Sequence, residues 1–134
     1  MNDFENTQVQ HIYMPSRMTW ETYKDKRILI HNYADLPTDK AIEMLIENST
    51  ATASLGRDNL LLLVDVTGMF ASKKLVSMWK ERAKKNAHLY KKIAVVGVTG
   101  LLNTFLRTIN KVSGLGARPF EDAQQAKDWL VSDD

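Results

Sequence analysis

The sequence predicts an α/β fold, with a mixed, mostly parallel sheet of about five strands and about four helices. Three observations predict it. Leu60–Val66 is a short, uniformly apolar run, the mark of a strand buried on both faces, and Ile93–Val98 is a second. Each run breaks into a glycine-containing turn, at Thr67-Gly68 and Thr99-Gly100, and is followed by an amphipathic stretch of helical period. Before them, two alternating segments, Met18–Tyr23 and Arg27–Tyr33, flank the polar Lys24-Asp25-Lys26 as a hairpin does.

Taken in order, residues 1–17 are polar and aperiodic and read as an N-terminal arm, with Val9, Ile12 and Met14 able to form a short edge strand before Pro15. Residues 18–131 read as one domain, and 132–134 as a tail. In the second hairpin segment Ile28 and Ile30 share one face while Leu29, His31 and Tyr33 share the other, so this strand is expected to be covered on both sides. Thr38 is the expected N-cap of the next helix, whose apolar stripe is Ile42, Leu45, Ile46, Ser49 and Ala53 and whose C′ residue is Gly56. Asn48–Ser54 carries only small side chains, which suits close packing against the sheet or a surface pared back for a ligand.

Ser72 is placed to cap a second helix running to about Tyr90, with Leu75, Val76, Trp79, Ala83, Ala87 and Tyr90 inward. Residues 72–92 hold eight Lys and Arg against one acid, Glu81, a net +7 in a chain of net +2. The rest of the molecule is therefore net −5, and a basic ridge faces a mildly acidic body. Such a ridge is either a solvated helix face or a docking surface, with Lys80, Lys84 and Lys85 at its centre, for an acidic protein or an anionic headgroup. Nucleic acid is disfavoured, because no aromatics interleave with the lysines.

The strand Ile93–Val98 then leads through Thr99-Gly100 into a helix to Ser113, with Leu102, Phe105, Leu106, Ile109 and Val112 buried and Gly114 ending it. Strand, glycine turn and helix could leave N–H groups at Thr99 and Gly100 for an anion, but the chain has neither a P-loop lysine nor a dinucleotide glycine triplet there. Gly116–Phe120 reads as a brief edge strand, and Glu121–Val131 as a last helix with Ala123, Ala126 and Leu130 inward and Trp129 as an anchor.

Composition narrows the chemistry. With 134 residues, 44% apolar and 25% charged, the chain can bury an adequate core without staples. The absence of cysteine excludes thiol catalysis, disulfides and cysteine-bound zinc, and agrees with a cytoplasmic location. No stretch approaches the ~20 apolar residues of a membrane span, and the acidic start Met1–Glu5 is unlike a signal peptide. His11, His31 and His88 lie on separate elements without acids at metal spacing, so no metal and no cofactor is expected. Asp65 with Thr67 is the polar pair at a strand's carboxyl end, and such residues ordinarily bond their own turn; with no second titratable group beside them, an enzyme is not expected.

Leu62–Gly68, Lys92–Gly97 and Arg118-Pro119-Phe120 followed by Ala126 and Trp129-Leu130 carry a resemblance to the STAS domains of bacterial anti-anti-sigma factors. More closely, the chain is similar to the stand-alone bacterial, SpoIIAA-like branch of that fold, often grouped with CRAL-TRIO lipid-binding domains. The resemblance spans about residues 18–131 and implies a SpoIIAA-like fold and a regulatory, protein-binding role. In anti-anti-sigma factors an Asp-Ser-Ser-Gly motif opens the helix after the central strand and carries the phosphorylated serine. This chain has Ala71-Ser72-Lys73-Lys74, so Ser72 alone carries over as the phosphorylation candidate. Two functions follow as expectations. One is a non-enzymatic interaction module, with a protein partner and room for a homodimer, using Asp65, Thr67, Gly68, Ser72, Lys73, Lys74, Thr99 and Gly100 as its surface. The other is a carrier or sensor of a small apolar or lipid-like ligand, which requires an internal pocket where the first requires only a surface.

Overall fold

The computed structural model describes residues 15–133. The arm strand expected around Val9–Met14 lies outside them. Strands β1 (Met18–Tyr23) and β2 (Lys26–Asn32) form the hairpin, joined by Lys24 and Asp25, both with positive φ (48° and 69°). That is the primed two-residue turn whose twist matches the strands, reached here without glycine. Then follow α1 (Thr38–Ser54), β3 (Leu60–Asp65), α2 (Lys73–Asn86), a short 3₁₀ turn (Ala87–Leu89), β4 (Tyr90–Val96), α3 (Gly100–Ser113), β5 (Arg118–Phe120) and α4 (Ala123–Val131).

The sheet order is β1-β2-β3-β4-β5, antiparallel at β1/β2 and parallel thereafter. The two apolar runs are adjacent inner strands, with Leu62 opposite Leu29 on one side and Ile93 on the other. Strand alternation divides the core in two. Leu29, Leu62, Ile93 and Val95 meet Ala41 and Leu45 of α1, Leu75 of α2 and Leu102 of α3. On the opposite face Ile28, Leu61, Leu63, Ala94 and Val96 meet Ala126 and Leu130 of α4, with Phe120 and Trp129 at the margin. Three helices thus cover one face and one helix the other, which is why the runs Leu60–Val64 and Ile93–Val96 are apolar on both faces. Among the described residues, no helix is long and apolar enough to cross a membrane.

Several local expectations are corrected. Pro37, not Thr38, precedes the first turn of α1; Thr38 is helical, and its hydroxyl donates instead to the Phe70 carbonyl (3.4 Å). The buried face of α1 is Ala41, Leu45, Asn48, Ser49, Ala51 and Thr52, leaving Ile46 and Ala53 outside. Hydrophobicity located the stripe wrongly because two of its inward residues, Asn48 and Thr52, are polar and find acceptors inside the fold: the Asn48 amide donates to Tyr33 Oη (3.3 Å), while its Oδ1 is buried without a partner among the described residues, and the Thr52 hydroxyl donates to the Asn48 carbonyl (2.7 Å). Strand β4 starts at Tyr90 rather than Ile93, so Lys92 is part of it. Val112 is 44% exposed, and Ala123 is exposed at the first turn of α4, where Asp122 is the N-cap and accepts from the Gln125 N–H (2.8 Å).

Lys92 also leaves the basic ridge. Only 8% exposed, it crosses beneath α4, and its Nζ donates to the Trp129 carbonyl (2.9 Å), the Ser132 carbonyl (2.9 Å) and Ser132 Oγ (3.0 Å). A buried cation among three acceptors at a helix C-terminus satisfies the end carbonyls and complements the dipole.

Candidate functional site

At the carboxyl edge of the sheet the loops are spent on each other. Asp65 Oδ1 accepts from the Thr67 N–H (3.0 Å), the local turn such residues ordinarily make. The Asp35 N–H donates to the Thr67 carbonyl (2.8 Å) and the Val66 N–H to the Val96 carbonyl (2.9 Å), stitching three successive loops together. Gly68 (φ +72°) packs so closely on Asp35 that a Cβ would collide with its carboxylate. At Gly97 (φ +87°) a Cβ would stand 2.7 Å from Thr67 Cα. Both glycines answer this crowding and the left-handed backbone.

Ser72 caps α2, its Oγ accepting from the Leu75 N–H (3.1 Å). Lys73 and Lys74 are exposed at that first turn, Lys84 and Lys85 are exposed at the last, and Lys80 between them is half-buried. Thr99 and Gly100 are exposed where α3 begins, with no side-chain cap on its first turn. The sequence-derived candidates therefore lie along one edge and one helix, and none of them lines the cavity beneath the helices.

The cavity is elsewhere, between the three-helix layer and the sheet. It holds about 120 Å³ and opens to solvent on one side, within a depression of about 840 Å³ that includes the opening. Its floor is Leu62 and Val64 of β3 with Ile93 and Val95 of β4. One wall is Trp79, Arg82, Ala83 and Asn86 of α2, spaced i, i+3, i+4, i+7 as one helix face, and the other is Leu102, Phe105, Leu106 and Ile109 of α3 with the same spacing. Ser49 of α1, Ala83 and Ala117 are small residues on its lining. Within Asn48–Ser54, Asn48, Ala51 and Thr52 are buried against the body, and Ser49 lies on the cavity lining.

The polar groups in this lining are held quiet by burial. His31 is buried, and desolvation pulls its pKa down to about 3, so the ring is neutral. With the Thr52 hydrogen committed to the Asn48 carbonyl, His31 Nε2–H donates to Thr52 Oγ1 (3.2 Å), fixing the tautomer. Burial raises the Tyr33 phenol and pushes Tyr90 up to about 12. The Asn86 amide donates to the Ser49 carbonyl (3.4 Å), joining α2 to α1 at one end of the cavity. Arg82 is the exception: its Nε is sealed from solvent with no hydrogen-bond partner among the described residues. No group of three His, Asp or Glu side chains among those residues is placed to hold a metal ion.

The cavity was missed in the sequence because its walls are the core stripes of two helices, correctly read as apolar. A void between stripes is a tertiary property. The sequence signals that touch it were Ser49, within the small-residue stretch Asn48–Ser54, and Arg82 and Asn86, polar residues on the same face as Trp79 and Ala83.

A crystal structure of an uncharacterized protein of the DUF3478 family from Shewanella loihica PV-4, described as having a SpoIIAA-like fold, superposes with a TM-score of 0.64. The two are 22% identical, over 88% of this chain and 99% of the other. No curated protein matches the sequence significantly. The SpoIIAA-like family model matches residues 27–131, which runs from β2 through α4 and takes in every wall of the cavity. The chain belongs to the SpoIIAA-like family.

Proposed function

We propose that the protein is a non-enzymatic binding domain that takes a small apolar ligand, as carrier or sensor, into the cavity between the sheet and α1, α2 and α3. The observation that supports this reading is the lining itself: aliphatic and aromatic side chains around a preformed space, with few polar groups. At about 120 Å³ the cavity is smaller than the several hundred Å³ of many carriers. It approaches the ~150 Å³ of an engineered apolar cavity that accepts benzene. A small ligand, or one partly outside the mouth, is what fits. A water-filled space of this lining would offer its waters few partners, which favours an apolar occupant.

Native mass spectrometry of the purified protein, before and after adding a small apolar compound such as octan-1-ol, tests the reading. The expected result is a one-to-one adduct that disappears in Ala83→Phe, whose ring fills the cavity, while the melting temperature of the variant stays within about 5 °C of wild type. An adduct retained by Ala83→Phe would place the ligand elsewhere.

A second reading is favoured by a separate observation. Lys73, Lys74, Lys84 and Lys85 are exposed along α2, and none forms an ion pair among the described residues. The helix and the Asp65–Ser72 turn would then serve as a docking surface for an acidic protein partner, with phosphate on Ser72 reducing its charge.

A further inference from the structure

We infer that the protein self-associates through the outer faces of α1 and α2, the acidic row of α1 in one copy lying on the lysine row of α2 in the other. The inference rests on α2 being a docking surface, the second reading above, and names the acidic partner as a second copy of this chain.

The two rows follow from the sequence. Asp39, Glu43 and Glu47 are spaced i, i+4, i+8, which sets them one above another on a helix, and all three are exposed on α1. The one cation of that helix is Lys40, engaged with Glu43 at 3.8 Å. On α2, Lys73, Lys74, Lys84 and Lys85 are exposed beside a single acid, Glu81. Among the described residues no carboxylate of α1 pairs with a lysine of α2. Each row therefore keeps its field for something outside the molecule.

The fold sets the rows side by side and in step. Strands β2, β3 and β4 are parallel neighbours, and α1 and α2 are the crossovers between them on the same face of the sheet, so the two helices are adjacent and point the same way. The Asn86 amide donates to the Ser49 carbonyl (3.4 Å) and fixes their relative level. Counting back along both helices from that bond, Glu47 stands level with Lys84 and Glu43 with Lys80. Asp39 stands level with Val76, within one turn of Lys73.

A two-fold axis parallel to the helices and midway between them preserves these levels and lays each α1 on the α2 of the other copy. Acid then meets lysine twice, once on each side of the axis, as an isologous contact requires. Ile46, 40% exposed and one turn beyond Glu43 on the same face, adds an apolar contact among the charges. The helices are about 25 and 21 Å long at ~1.5 Å per residue. Side by side they offer the area of a small, salt-sensitive interface rather than an obligate one. An anionic membrane would meet the lysine row and be repelled by the acids beside it; a surface carrying both signs in reverse order uses both rows, and this face is its own complement.

The test is sedimentation of the whole protein at low and high salt, with two charge-reversed variants. Wild type should dimerise, with a Kd that rises about tenfold or more between about 0.05 M and about 0.5 M salt. Glu43→Lys/Glu47→Lys makes both rows basic, and Lys73→Glu/Lys84→Glu/Lys85→Glu makes both acidic. Each variant alone should be monomeric, and the two mixed in equal amounts should form a one-to-one dimer, because every reversed row then meets its opposite. All five altered side chains are exposed, so both variants should melt within about 5 °C of wild type; misfolding of either could not create the mixed dimer. A wild-type monomer up to about 1 mM, a dimer that persists in either variant alone, or a mixture that stays monomeric would each overturn the inference while leaving α2 a docking surface for another protein. That reading fails separately, if the lysine reversal changes neither self-association nor the proteins recovered from cell extract.

Discussion

His31 is the residue whose burial has the most direct thermodynamic consequence. Neutral in the folded protein, with its pKa pulled down to about 3, it regains the ordinary value of 6.5 when the chain unfolds. Between those values the unfolded state binds a proton that the folded state does not, so stability rises with pH across this window and is lost as pH falls below 6.5. From pH 7 to pH 5 the loss attributable to His31 is about 2 kcal/mol. Urea unfolding of wild type and His31→Gln at the two pH values checks it: the variant should show a pH dependence smaller by about that amount. Identical slopes would mean that the ring is protonated in place. Histidine on a strand face beside Leu29 and Tyr33 was legible as inward-facing, but its neutrality was not, since that depends on the complete burial the folded core imposes, and its tautomer depends on Thr52, 21 residues away. Arg82 is the same case. The sequence shows a cation within a helical stripe, and only the fold shows that Nε has no partner.

At the scale of elements, most of what is carried by neighbouring residues was read correctly, the start of α4 at its Asp122 cap excepted. The hairpin, the two inner strands, the Ser72 cap and the Gly114 stop depend on period, side-chain hydroxyl and backbone freedom, all carried by adjacent residues. What else failed depended on distant partners. The inward face of α1 turned because the Asn48 amide and the Thr52 hydroxyl find acceptors inside the fold, and Lys92 left the basic ridge because three acceptors near the C-terminus of α4 receive it. The remaining ridge on α2 carries a prediction of its own. Lys73→Glu/Lys84→Glu/Lys85→Glu reverses three exposed charges and should change stability by less than about 1 kcal/mol, because exposed charges interact weakly through water. If α2 is a docking surface, affinity capture from cell extract should lose an acidic partner both in this variant and on raising salt, which shortens the screening length to about 3 Å at 1 M. Equal recovery in all conditions would leave α2 a solvated face.

The whole molecule is a five-stranded sheet with unequal coverings. On the face with one helix, α4 is closely held: Trp129 packs on Phe120 at 5.5 Å, Lys92 reaches the helix end, and Lys127 pairs with Glu21 of β1 at 2.8 Å. On the other face three helices share the strands, and space remains between α2 and α3. The sequence showed which face of each helix is apolar, but not that two apolar faces stop short of each other. That gap is where the proposed ligand would sit, beside the sheet rather than at the carboxyl edge, where α/β proteins more commonly bind.

The three tryptophans provide the most direct measurement of this account. Trp79 lines the cavity; Trp20, on β1, does not, and Trp129 packs on the opposite face of the sheet. In a proton–nitrogen correlation spectrum each indole N–H gives one signal, and the protein is titrated with octan-1-ol. A saturable shift of the Trp79 signal, with those of Trp20 and Trp129 unmoved, is the predicted result. No saturable shift at Trp79, or parallel shifts of all three signals, would contradict a ligand site in the cavity.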